Sequence, residues 1–233
     1  MQSLSRLALA AALSVATLSA QAALVARPGG MIYDTTRNIT WLADMNYAAT
    51  SGYAAANWGG FGGGQILADG RMGWDAAGAW ASNLVYSSYD DWRLPTLNSS
   101  DASCTGGFGV GVGYNCTRGE LSGLFVTELG YNNNGSGLIT GDDTAEQIAN
   151  KALFSNVKSS AYWSGTVHAP VPPSTWIFNT SLGFQISNVL GTPLYAVPVR
   201  SGDVAASVPE PQTLALALLA LGATVVARRR RPH

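Results

Sequence analysis

The sequence predicts an α+β domain of short strands, two or three short helices and long glycine-rich loops, with a targeting segment at each end. Three observations lead there. Short runs rich in β-branched and aromatic residues, bounded by Gly, Pro or Asn, occur near both ends of the body. Two stretches in the middle carry apolar residues at helical spacing. The 27 glycines of the 233-residue chain gather largely between those runs, and no repeat of about 20–50 residues suggests a solenoid. With the ends set aside, residues 23–207 fall within the size of one domain.

The first 22 residues carry a positive start at Arg6, an apolar run from Leu7 to Leu18 and the small-residue ending Ala20-Gln21-Ala22. That order is a secretory leader with cleavage expected after Ala22. Met31 to Asp34 and Ile39 to Leu42 then read as two strands around a turn at Thr36-Arg37-Asn38. Asn57 to Gly64 (Asn-Trp-Gly-Gly-Phe-Gly-Gly-Gly) is too rich in glycine for regular structure and reads as a surface loop.

Trp74, Ala77, Ala81, Leu84 and Val85 share one face of an expected helix and are expected in the core. Gly78 weakens that helix and offers room for a neighbouring backbone. Thr117-Arg118-Gly119-Glu120 reads as a capping box opening a second helix, with Leu121, Leu124, Phe125 and Leu129 on its buried face and Gly130 as its stop. A third helix candidate starts at Thr144, with Gln147 at the capping-box position. Ala161 to Thr166, Thr175 to Phe178, Phe184 to Ser187 and Leu194 to Arg200 complete the strands. Strands at both ends of the body are expected to pair and bring the termini together.

Cys104 and Cys116 enclose the glycine-rich stretch Thr105 to Asn115. Export places them in an oxidising compartment, so they read as a disulfide pinning a loop that does not otherwise pack.

After Val208-Pro209-Glu210-Pro211 comes an uncharged, mainly apolar stretch from Leu214 to Ala227, then Arg228-Arg229-Arg230-Arg231. Fourteen helical residues span about 21 Å, short of the roughly 30 Å hydrocarbon core, which suits a transient stop in the inner membrane better than a permanent anchor. The arginines hold that end on the cytoplasmic side, leaving Pro209-Glu210-Pro211 at the outer face. Val208 to Arg231 resembles the PEP-CTERM sorting signal of Gram-negative bacteria that make exopolysaccharide. The resemblance implies recognition by an exosortase, removal of the hydrophobic tail and delivery to the cell surface or extracellular matrix.

A second resemblance rests on several phrases in order: Ile32-Tyr33-Asp34, Ile39-Thr40-Trp41-Leu42-Ala43-Asp44, Trp74-Asp75-Ala76-Ala77, Asp91-Trp92-Arg93-Leu94-Pro95-Thr96, Glu120-Leu121, Tyr162-Trp163-Ser164-Gly165-Thr166 and Val197-Pro198-Val199-Arg200-Ser201-Gly202. Together they resemble the Lcl C-terminal domain family, which implies a C-type-lectin-like fold. The Glu-Pro-Asn, Gln-Pro-Asp and Trp-Asn-Asp triplets of calcium-dependent sugar-binding lectins do not occur in the body. Formylglycine-generating relatives need two catalytic cysteines, and the two here read as bonded to each other. Neither activity carries over, and fold alone does not license a function.

Residue chemistry narrows the rest. Only 12% of residues are charged, and Ala23 to Val208 holds 8 Lys+Arg against 13 Asp+Glu, a net −5. Nucleic acid is excluded as a partner, because phosphate contacts need clustered cations. His168 is the body's one histidine, with no Gly-X-Ser-X-Gly phrase near it, so no metal site or catalytic triad is expected. Trp92 reads as core, with Arg93 paired locally. Asp90-Asp91 and Asp142-Asp143 read as turn residues rather than a calcium cage. A glycosidase would need two facing carboxylates, with Glu120, Glu128, Asp142 and Asp143 as candidates, and spacing alone does not pair them.

The expectation is therefore a non-enzymatic protein without a cofactor, an extracellular carbohydrate-active hydrolase being the alternative. Trp58, Phe61, Tyr114 and Tyr131, in glycine- or asparagine-rich stretches, are the candidate contacts to a ligand such as exopolysaccharide. The competing expectation, favoured because large exposed apolar groups are uncommon, is that these rings fold back over the core.

Overall fold

A computed structural model describes residues 23–133, 139–169 and 173–204; the expected leader (1–22) and the expected sorting tail (208–233), with its apolar run 214–227, lie outside them. Strands β1 (Leu24–Arg27), β2 (Met31–Asp34), β3 (Ile39–Leu42) and β9 (Val199–Ser201) form an antiparallel sheet in the order β1-β2-β3-β9. The two ends of the body thus share one sheet, with Trp41 opposite Val199. At the β2–β3 turn Asn38 takes a left-handed φ of 52°, and Asp34 accepts from the Arg37 N–H at 2.9 Å. Strand β1 was not expected: it has four residues and only one flanking turn signal, Pro28-Gly29-Gly30.

The second sheet has the order β4-β5-β8-β7-β6, from β4 (Thr105–Gly109), β5 (Val112–Tyr114), β6 (Ala161–Val167), β7 (Ser174–Asn179) and β8 (Phe184–Val189). The Cys104–Cys116 disulfide is present. The stretch it encloses, expected to be an irregular loop, is the β4–β5 hairpin added to the edge of β8. A Cβ on Gly107 would lie 1.5 Å from the Val112 carbonyl oxygen, so glycine is what lets these strands close. The expected strand Leu194 to Arg200 is interrupted. Leu194 and Tyr195 make isolated pairings with Met72 and Tyr162, Pro198 offers no N–H, and β9 starts only at Val199.

Among the described residues, five α-helices and a 3-10 turn at Gly62–Gly64 accompany the sheets. The single-turn helices α1 (Tyr47–Thr50) and α2 (Tyr53–Ala56) were not foreseen. Helix α3 spans Trp74–Ser82 and buries Ala76, Ala77, Trp80 and Ala81. The expected stripe therefore needs correction: the helix ends before Leu84, which is half-buried, and Val85 is 70% exposed. Nothing lies within 4 Å of a Cβ on Gly78, so no backbone approaches there.

Helix α4 (Glu120–Ser122) runs into a π-helical turn, Gly123–Glu128. Its cap is not the expected one. Gly119 is the N-cap and donates its N–H to Ser122 Oγ, whereas Glu120 turns outward to Arg93. Leu121, Leu124, Phe125 and Leu129 are buried as expected, and Gly130 ends the segment at φ 68°. In α5 (Ala145–Lys151) Thr144 and Gln147 exchange both capping-box hydrogen bonds.

The main core joins Leu24, Ile32 and Trp41 of the first sheet to Tyr162, Trp176 and Phe178 of the second through Leu124 and Phe125. The Trp-Arg-Leu-Pro-Thr run stitches the sheets together. Arg93 exchanges backbone hydrogen bonds with Val199, Gly165 donates to the Pro95 carbonyl, and the Leu97 N–H donates to Thr166 Oγ1. Trp92 is buried with Met31, Leu42 and Val204. Among the described residues no helix is long and apolar enough to cross a membrane.

Candidate ligand face and carboxylate cavity

Helix α2 leads straight into the loop Asn57–Gln65. The loop closes on itself where Gly59 and Ile66 exchange backbone hydrogen bonds at 2.9 and 2.8 Å. Its base is packed tightly: a Cβ on Gly73 would lie 2.4 Å from the carbonyl oxygens of Gly62 and Gly63. Gly59, Gly60 and Gly62 all take positive φ, a path closed to most side chains. On this anchored turn Trp58 is 75% and Phe61 94% exposed, so for these two rings the expectation of folding back is overturned. The loop is held by its glycine backbone.

Tyr114 and Tyr131 are half-buried instead. Tyr114 packs edge-on against Phe184 at 4.6 Å. Tyr131 packs against Phe125 at 5.4 Å, with the Lys151 ammonium over its ring. The structure thus separates the four candidate rings into one exposed pair and two that are half-buried, Tyr131 against the main core and Tyr114 against Phe184.

Beside the exposed pair in the chain lies a cleft of about 390 Å³ lined by Tyr47, Tyr53, Trp80, Asn83, Leu84 and Val85, among others. No acidic or basic side chain lines it. Tyr53 and Trp80 are tilted against each other at 6.2 Å, and the Asn83 amide donates to the Ala79 carbonyl at 2.8 Å. Sequence reasoning missed this cleft, because Tyr47 and Tyr53 stand on separate helical turns and Trp80 on a third. No local pattern links them.

Most candidate carboxylates are in ion pairs. Arg93 donates to both Glu120 oxygens at 2.8 Å, and the Thr96 N–H donates at 2.8 Å. Burial works against the charged form of Glu120, but these bonds outweigh it and hold the carboxyl below its usual range. Arg93 is therefore paired with a residue distant in sequence, not locally. Glu128 and Asp34, both buried, share the one guanidinium of Arg37 at 3.0 and 2.8 Å. Burial pushes the Glu128 carboxyl above its usual range even so. Asp143 pairs with Lys151 and Asp91 with Arg200. Asp142 is exposed.

Glu128 does share a cavity of about 430 Å³ with a second carboxylate, Glu146, which sequence reasoning passed over; Arg37, Asn150 and Ala23 also line it. The signal was available, since Glu146 follows the Thr144 cap. His168 packs against the Trp176 ring at 4.9 Å, with Ser174 Oγ 3.4 Å from Nδ1. Asp101 lies close to Cys104 and Cys116, but their sulfurs are bonded to each other. Asp101 itself accepts from Ser103 and from the Arg118 N–H.

Residues 207–231 match the PEP-CTERM protein-sorting motif. The motif marks an exported surface protein processed by an exosortase. It begins close behind Val204, which is buried in the fold. No curated protein and no solved structure matches the chain.

Proposed function

We propose that this is a non-catalytic protein of the cell surface or extracellular matrix, with a C-type-lectin-like body, that holds exopolysaccharide through the 57–65 loop and the cleft beside it. The observation that carries the reading is the pair Trp58 and Phe61, 75% and 94% exposed on an anchored loop. Aromatic faces beside amide and hydroxyl groups suit the apolar faces and hydroxyls of a sugar, and a cleft without ionic side chains suits an uncharged one. The route follows from the two ends: a leader cut after Ala22, an inner-membrane intermediate held by the tail, then exosortase cleavage and release to the surface.

The test is binding of the exported protein to polysaccharide isolated from its own matrix. Trp58→Ala with Phe61→Ala is expected to weaken binding about tenfold, equivalent to about 1.4 kcal/mol. Absence of binding to that polysaccharide and to a broad glycan panel would sink the reading.

One observation favours a hydrolase instead: Glu128, with its raised carboxyl, and Glu146 share a concave cavity. A carboxyl raised above its usual range beside a second carboxylate is what glycoside hydrolysis uses. That reading requires turnover of the polysaccharide, lost on Glu128→Gln and unaffected by Trp58→Ala.

A further inference from the structure

The cavity that holds Glu128 and Glu146 also holds the first described residue of the chain, Ala23. Ala23 is pinned: its carbonyl accepts from the Thr35 N–H at 2.8 Å and from Thr35 Oγ1 at 3.1 Å. The next side chain, Leu24, is buried in the main core. The expected leader junction therefore lies directly beside the core, with no slack between them.

The charges around Ala23 are unbalanced. From the β2–β3 side come Asp34 and Arg37. The π-helical turn contributes Glu128, and α5 contributes Glu146; further along α5, Lys151 is paired with Asp143. One guanidinium thus serves two buried carboxylates, Asp34 and Glu128, with Glu128 at 7% side-chain exposure, while the exposed Glu146 lines the same cavity. Gly123 is shaped to the guanidinium, since a Cβ there would lie 2.1 Å from an Arg37 nitrogen. Burying carboxylates with too few cations is unfavourable, and a further cation in the cavity relieves it.

We infer that the α-ammonium group created at Ala23 by leader removal is that cation, an ion-pair partner for Glu128 and Glu146 that fastens the mature amino terminus to the domain. The inference rests on the proposed cleavage after Ala22 and not on the ligand. In that step a leader peptidase adds water across the Ala22–Ala23 peptide bond. The hydroxyl goes to the Ala22 carbonyl carbon, giving a carboxylate, and Ala23 leaves as an amine that is protonated near neutral pH. Until the cut, position 23 carries an uncharged amide, so the precursor lacks the pair and the exported, processed protein has it.

The test uses the full chain expressed in its native cell, unaltered and with Gly-Ser inserted between Ala22 and Ala23, each in the natural and the Glu146→Gln background. Intact mass of the recovered proteins reads the amino terminus, and a terminus other than Ala23 in the unaltered chain overturns the leader reading and this inference with it. With Ala23 confirmed, the insertion is expected to lower the thermal midpoint by about 2–4 °C, and by clearly less when Glu146 is Gln. An equal shift in both backgrounds, or none, overturns the ion pair alone. A second readout needs no variant: the α-amine, titrated through the pH dependence of its acylation, is expected above its ordinary value of about 7.7–8.0. A value at or below that range refutes the pair.

Discussion

The stretches Asn57–Gly64 and Thr105–Asn115 look alike in sequence, both dominated by glycine and both carrying aromatic residues, yet they fold differently. The second becomes a hairpin. It has an edge to join in β8, where Gly113 faces Gln185 and Tyr114 faces Phe184. It also has a disulfide across its base. The buried Gln185 amide donates to the Asn98 and Gly111 carbonyls, tying the tip to the sheet. The first stretch has no such edge. It closes through the Gly59–Ile66 pairing and a 3-10 turn at Gly62–Gly64, rests on Gly73 and leaves its rings in solvent. Glycine permits close approach wherever a partner strand waits; without one it yields only a turn. Tyr114 accordingly belongs to the packing, while Trp58 and Phe61 remain available for contact.

Five variants test that contrast, the largest effect first. Replacing Cys104 and Cys116 together by Ser is expected to lower stability by about 3 kcal/mol, because the denatured chain regains the loop's freedom. Denaturant midpoints would show it, and a loss below about 1 kcal/mol would mean the hairpin holds without its staple. Gly107→Ala is expected to cost about 1–3 kcal/mol, since the new methyl meets the Val112 carbonyl and the strands must part. Retained hairpin cross-peaks with an unchanged midpoint would contradict the close approach.

Gly78→Ala should go the other way, raising stability by about 0.5–1 kcal/mol, because that glycine sits inside α3 with open space around its Cβ position. Destabilisation would reveal a neighbour at that face. Trp58→Ala and Phe61→Ala are expected to change stability by no more than about 0.5 kcal/mol each, as exposed positions do. A larger loss would show that the rings support the fold, and the proposed ligand face would lose its basis.

What was legible in the sequence was local. The Thr144–Gln147 capping box, the turn between β2 and β3, the buried Leu121, Leu124, Phe125 and Leu129 and the stop at Gly130 each depend on residues a few positions apart, and each is present. Where a local signal competed with a distant partner, the sequence misled. Glu120 looked like a capping residue, but Arg93 and the Thr96 N–H hold it better than a helix end would. The apolar period through Val85 suggested one more helical turn, but the helix ends at Ser82, leaving Val85 in solvent and making Trp80 the buried aromatic of that face.

By itself, then, the sequence determined the sorting address at the C-terminal end, the α+β character, the disulfide and most short strands, because charge order, periodicity and turn chemistry act between near neighbours. Only the tertiary structure decided which glycine-rich stretch joins a sheet, which aromatic rings face solvent, and that Ala23 shares a cavity with Glu128 and Glu146. Those outcomes depend on surfaces brought together across the whole chain. The free energy of burying an edge, a ring or a carboxylate is set by what arrives opposite it, and no local pattern records that.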